Sequence, residues 1–238
     1  MAGWDKYLTE QDKQHIAIWG KRVLDGFGQR PVLLVVDNIY LALGHERKPI
    51  LEAIKDWPMS CGLEGWEAID RTVGLIAAAR NNNVPVIYVR LLPGFPSHYF
   101  RRNDKGQKRN FSVDHLPLKV RSLVNEIVAE IAPLPGELVI QKTSPSSFAG
   151  TPLLYHLREI GADTVIVCGN STSGCIRAAV LDGVTLRFRM GIVGECCFDR
   201  TQASHWMNLF DMHQKYGDVI DVKAAAEYFA SARSVATA

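Results

Sequence analysis

Short apolar runs alternating with helically spaced stretches organise this chain. Five runs read as buried strands: Pro31–Asp37, Val84–Arg90, Glu137–Gln141, Thr164–Gly169 and Leu186–Val193. The first four are rich in Val, Ile and Leu, as expected of a parallel sheet covered on both faces. The fifth alternates, and Asp218–Val222 reads as a sixth strand at an edge. Parallel neighbours need crossover connections. Helical patterns at Leu63–Asn81, Leu118–Ile131, Thr151–Ile160, Cys175–Asp182 and Gln202–Tyr216 supply them. In the third of these, Thr151 and Pro152 form a start signal and Gly161 a stop. A helix at Thr9–Leu24 precedes the sheet and is expected outside the core or in a subunit interface. The pattern predicts a three-layer α/β/α fold with a mainly parallel six-stranded sheet, in one domain spanning residues 1–238.

Three stretches are expected to be irregular: Leu41–Cys61, Leu92–Leu116 and Thr143–Ala149. Each follows the C-terminal end of a strand, the edge at which open α/β sheets bind ligands. The second carries the basic run RRNDKGQKR, read as a solvated loop, with a lid or subunit contact as the alternative.

Composition narrows the class. The chain has 238 residues, 47% hydrophobic and 22% charged, enough for a core without disulfides or a structural metal. A net charge of +2 gives no reason to expect nucleic acid or membrane partners. No apolar run reaches the roughly 20 residues of a membrane span. The polar N-terminus does not read as a secretory signal, so the cytoplasm is the expected compartment. The five cysteines, Cys61, Cys168, Cys175, Cys196 and Cys197, fit neither a disulfide framework nor a zinc knuckle and are expected to stay reduced. A redox pair at Cys196–Cys197 is a minor alternative to simple packing.

Three residues stand where chemistry would be expected. Asp37 ends the first strand, where partial burial would tune a carboxylate toward a base; capping a helix or binding ribose or magnesium are alternatives. Lys142 follows the third strand and would point its amine at the same edge, unless it is simply solvated. Cys175 lies in TVIVCGNSTSGCIRAA (Thr164–Ala179), where a buried strand runs through a small polar loop into a helix. Free N–H groups and the positive end of a helix favour a thiolate there and could form an oxyanion hole. Cys168, inside the strand, fits plain packing better.

These pieces carry a resemblance to the isochorismatase-like cysteine hydrolases, within them to the N-carbamoylsarcosine amidohydrolase branch. The matching stretches are VVD (Val35–Asp37), QKTSPSSFAGTPL (Gln141–Leu153), VCGNSTSGCIRAAVLDG (Val167–Gly183) and ECCFDRTQASHWMNLFDMHQKYGDV (Glu195–Val219). They span most of the chain, from Val32 to Phe229.

The resemblance implies a catalytic triad at Asp37, Lys142 and Cys175. It also implies a cis peptide at Asn170–Ser171 and an oxyanion hole from the Ser171 and Cys175 N–H groups. Arg200 matches a position that holds a substrate carboxylate, a task suited to a guanidinium; a surface ion pair is the plainer reading. Asn38 and Thr172 are further candidates for substrate contact. Metal-dependent relatives carry an Asp-x-His after the first strand. Here Asn38–Cys61 contains only His45, so neither a catalytic metal nor another cofactor is expected.

The expected activity is hydrolysis of a small linear amide or N-carbamoyl compound, with ammonia released through a thioester. A maleamate-type substrate, or a non-catalytic metabolite-binding role, is the alternative. A homodimer or homotetramer is implied by the relatives.

Overall fold

The computed structural model describes residues 3–20, 26–92 and 113–232. Six strands form one sheet: β1 (Pro31–Val36), β2 (Val86–Leu91), β3 (Leu138–Lys142), β4 (Thr164–Asn170), β5 (Arg189–Phe198) and β6 (Asp218–Ile220). Their order is β3-β2-β1-β4-β5-β6, and every neighbouring pair is parallel. The chain winds one way from β1 to β3 and the other way from β4 to β6, so β1 and β4 flank the switch point where such sheets open a crevice.

Burial follows from this order. Central β1 and β4 are buried at every residue, whereas edge strand β3 alternates. Successive side chains of β1 enter opposite layers, as the strand repeat requires. Leu33 and Val35 join one core with Ile69, Leu75 and Ile76. Val32, Leu34 and Val36 join the other with Leu153, Leu157, Val180 and Leu209.

The helices are α1 (Glu10–Trp19), α2 (Tyr40–Leu43), α3 (Ile50–Asp56), α4 (Gly62–Asn81), α5 (Leu118–Arg121), α6 (Leu153–Glu159), α7 (Arg177–Thr185), α8 (Gln202–Lys215) and α9 (Val222–Ser231). In α4 the buried residues Gly65, Trp66, Ala68, Ile69, Thr72, Leu75, Ile76 and Ala79 recur at the spacing of one helical face.

Several elements differ from the sequence expectation. The helix expected over Leu118–Ile131 stops at Arg121. The residues beyond it lie against the chain that follows β1: Tyr40 and Leu41 donate to the Glu126 and Val124 carbonyls, and Val128 donates to Asn38. Ile39 and Ile127 form an antiparallel bridge. Val124, Ile127 and Val128 are β-branched, and distant backbone partners favour the extended form over a helix.

Leu41–Cys61, expected to be irregular, contains α2 and α3. Strand β5 starts later than expected and runs on through Cys196 and Cys197. Those two thiols enter opposite core layers, as neighbours on a strand must, so they do not form a redox pair, and both are free. α9 carries a C-terminal segment for which no element was expected; Asp221 caps it by accepting the Ala224 N–H. Helix α1 has a Thr9–Asp12 capping box and buries none of its residues. Residues 21–24 of the expected Thr9–Leu24 helix, and the basic run of the Leu92–Leu116 stretch, lie outside the described residues. Among the described residues no helix is long and apolar enough to cross a membrane.

Candidate active site

The site forms at the C-terminal edge of the sheet, where β1, β3 and β4 end. β1 stops at Val36, and Asp37 turns the chain with a positive φ of 50°, a conformation that Asp tolerates better than most residues. Its N–H still donates to Val89 on β2 at 2.8 Å. Opposite, Gly169 pairs with Val36. A Cβ at Gly169 would lie 2.0 Å from the Val36 carbonyl oxygen, so only glycine lets the two strands meet this closely. Beyond Gly169 the Asn170–Ser171 peptide is cis. The chain then makes a wide five-residue turn, Thr172–Ile176, before α7 begins. Such turns recur at functional sites, and Cys175 lies within this one.

The structure brings Asp37, Lys142 and Cys175 together. The Lys142 ammonium lies 2.8 Å from Asp37 Oδ2 and 3.1 Å from Cys175 Sγ. It also donates to the Ser144 and Pro145 carbonyl oxygens, at 3.1 and 3.3 Å. Lys142 is 1% exposed and Asp37 3%. The amine therefore reaches the carboxylate from an edge strand and is held in place by the loop that follows its own strand. That loop is itself fixed: Ser146 donates to Asp182 at 2.5 Å and accepts the Phe148 N–H.

Burial sets the charges. It pushes the Asp37 carboxyl above its ordinary value, and the Lys142 ammonium pulls part of that back. Burial opposes the lysine charge, but Asp37 and Cys175 together hold its pKa above the usual value. The Cys175 thiol is pushed up to about 12, by burial first and the Asp37 charge second, with Lys142 opposing. Burial and the Asp37 charge therefore favour the thiol form of Cys175, against the pull toward thiolate exerted by Lys142 and by a helix start.

The other candidates divide. Thr172 is fully buried, and its hydroxyl is engaged with His205 Nδ1 at 2.8 Å; this pairs the turn with α8 rather than leaving the hydroxyl for a ligand. Asn38 is buried, and among the described residues neither polar atom of its amide has a hydrogen-bond partner. Arg200 follows β5; its Nε donates to the Met59 carbonyl at 3.1 Å. Within the turn, Asp199 takes the Ser173 N–H, and the Ser171 carbonyl takes those of Gly174 and Ile176. None of these loop hydrogen bonds uses the N–H of Ser171 or Cys175.

Reading the sequence alone missed Asp199, Ser173 and His205. The available signal was the position of Asp199 at a strand end on the ligand-binding edge. The chain's Asp-x-His, Asp211–His213, lies on α8, where Asp211 pairs with Arg177 and His213 accepts the Val219 N–H. Among the described residues no three His, Cys, Asp or Glu side chains group so as to hold a metal ion.

Comparison with known proteins identifies the family. The isochorismatase domain family matches residues 63–224. Maleamate amidohydrolase of Pseudomonas putida is 34% identical over 205 residues, covering 85% of this chain and 87% of that protein. N-carbamoylsarcosine amidase of an Arthrobacter species is 32% identical over 212 residues, covering 85% and 72%. An isochorismatase-like hydrolase from Alkaliphilus metalliredigens superposes with a TM-score of 0.67 at 20% identity, over 83% of this chain and 98% of that one, a likeness of fold. The chain belongs to the isochorismatase family, on its cysteine amidohydrolase side.

Proposed function

We propose that the protein hydrolyses the C–N bond of a small linear amide or N-carbamoyl compound bearing a carboxylate, through a thioester on Cys175. The observation that carries this reading is the single ammonium of Lys142 within hydrogen-bond reach of both Asp37 and the Cys175 sulfur. Asp37 and Cys175 share one negative charge and one proton. Whichever group holds the charge, Lys142 is already beside it, so moving the proton from thiol to carboxylate needs little rearrangement.

The steps follow from that exchange. Asp37 takes the Cys175 proton, and the sulfur attacks the carbonyl carbon. The oxygen that becomes negative is held by the Ser171 and Cys175 N–H groups. Asp37 returns its proton to the leaving nitrogen as the C–N bond breaks, releasing ammonia and leaving a thioester. Asp37, ionised again, then deprotonates the water that attacks the thioester carbon; as the C–S bond breaks, the proton passes from Asp37 to the departing Cys175 sulfur, and the acid leaves with the resting site restored. Arg200 binds the substrate carboxylate, and the unpartnered amide of Asn38 contacts its polar remainder.

The activity of two relatives supports this substrate class, since one acts on maleamate and the other on N-carbamoylsarcosine. Ammonia release from these two compounds and a panel of small amides and ureido acids tests the reading. At least one compound turns over, and Cys175→Ala loses that turnover while keeping the folded circular dichroism spectrum. Substantial amidase activity in folded Cys175→Ala would refute the mechanism.

A further inference from the structure

The loop after β5 makes a contact that the chemistry above does not use. Asp199 is 6% exposed and sits at the C-terminal end of the strand. Its Oδ2 accepts two hydrogen bonds from Ser173, from the N–H at 2.8 Å and from the hydroxyl at 2.6 Å. Its Oδ1 accepts the Arg200 N–H at 2.8 Å. One carboxylate thus joins the middle of the turn that carries Cys175 to the backbone of Arg200.

We propose that Asp199 is a positioning residue that fixes the separation between the nucleophile turn and the Arg200 anchor. The inference rests on the reading of Cys175 as nucleophile and Arg200 as carboxylate anchor. Three donors converge on two oxygens, so the position calls for a group that only accepts. An asparagine would satisfy Ser173 while aiming its own NH₂ at the Arg200 N–H, or the reverse, and either orientation loses at least one bond. A glutamate would shift the acceptor by about 1.5 Å, one C–C bond. Displacement of about 1 Å at a reacting centre slows reaction roughly 100-fold.

Two variants and a substrate-free probe test this. Asp199→Asn should lower kcat about 10- to 100-fold and raise KM several-fold, because both ends of the bridge move. Alkylation of Cys175 by iodoacetamide should slow at least fivefold at fixed pH, with Cys175→Ala as the blank. Ser173→Ala removes only the hydroxyl bond and should lower kcat several-fold with KM unchanged. In the Ser173→Ala background, Asp199→Asn should cost less kcat than in the parent, because the two act through one contact. If Asp199→Asn does not fold, the kcat and melting temperature of Ser173→Ala decide alone. A lowered melting temperature with kcat, KM and alkylation all within twofold would overturn the inference, as would fully additive kcat losses. The two readings also separate: an active Cys175→Ala sinks the nucleophile itself, whereas a silent Cys175→Ala beside wild-type Asp199 and Ser173 variants sinks only the bridge.

Discussion

Replacing Lys142 with methionine removes the positive charge that lies within hydrogen-bond reach of both Asp37 and Cys175 while keeping most of the side-chain volume. At 2.8 Å and an effective dielectric constant of about 20, its attraction for Asp37 is about 6 kcal/mol. Desolvation of both groups offsets much of that, yet removing one partner of a buried pair still costs about 3–5 kcal/mol. A protein of this size is stable by about 5–15 kcal/mol, so Lys142→Met should fold with a reduced margin.

The orphaned carboxylate has one escape, which is to take up a proton. Burial already raises its pKa, and the chief opposing influence, Lys142, is gone. The sign follows. The unfolded chain releases this proton near the model-peptide value of about 4, while the folded variant holds it to higher pH. Stability is therefore fully present below pH 4 and is lost as pH rises through the folded value. Urea unfolding should show a small deficit against the parent near pH 4.5 and a growing one toward pH 8. The double variant Asp37→Asn/Lys142→Met carries no buried charge there, and should regain stability at pH 8 and lose the pH dependence. Neither variant should support turnover: a neutral Asp37 cannot accept the thiol proton, and the loss should be about 10²–10⁴-fold. The reasoning fails if Lys142→Met keeps kcat within tenfold, if its deficit is the same at every pH, or if the double variant is no more stable than the single.

Two further outcomes follow from the same structure. Arg200→Ala should raise KM roughly 10- to 100-fold with kcat within about threefold, the loss of one charge-assisted carboxylate contact; an unchanged KM in steady-state assays would remove Arg200 from the substrate pocket. Burial holds the His205 pKa down from 6.5 to about 4, so the unfolded chain binds its proton first as pH falls. This residue's share of stability is whole above pH 6.5 and is lost toward pH 4, by about 3 kcal/mol at most. Unfolding measured across that window should be flatter in His205→Gln than in the parent; parallel curves would contradict the assignment.

The sheet was legible in the sequence because its central strands are buried on both faces. Pro31–Val36 and Thr164–Gly169 have almost no polar interruption, and that pattern fits little else. Asp37, Lys142 and Cys175 were legible for a related reason, since strand ends on the ligand-binding edge are few. Other features depended on partners far away in the chain. Val124–Val128 reads as helical until its backbone finds Asn38–Leu41. The far half of β5 was hidden by Gly194 and Glu195, and its burial comes from α4, β4 and α8. The pull on the Cys175 proton depends on burial and on the Asp37 carboxylate, which spacing along a chain does not report. Thr172 looked available for a ligand because its partner, His205, lies 33 residues away. Asp199 gave no sign beyond its position, since its two bonds to Ser173 exist only once the turn and the strand end meet.

The most direct test of covalent chemistry at Cys175 is acid quenching during steady-state turnover, followed by peptide mass spectrometry. With an amide that the enzyme hydrolyses, the peptide containing Cys175 should carry the substrate mass less ammonia, and the adduct should vanish on mild hydroxylamine treatment, as a thioester does. An acyl group found on another residue, or full turnover with Cys175 never modified at any quench time, would contradict the mechanism.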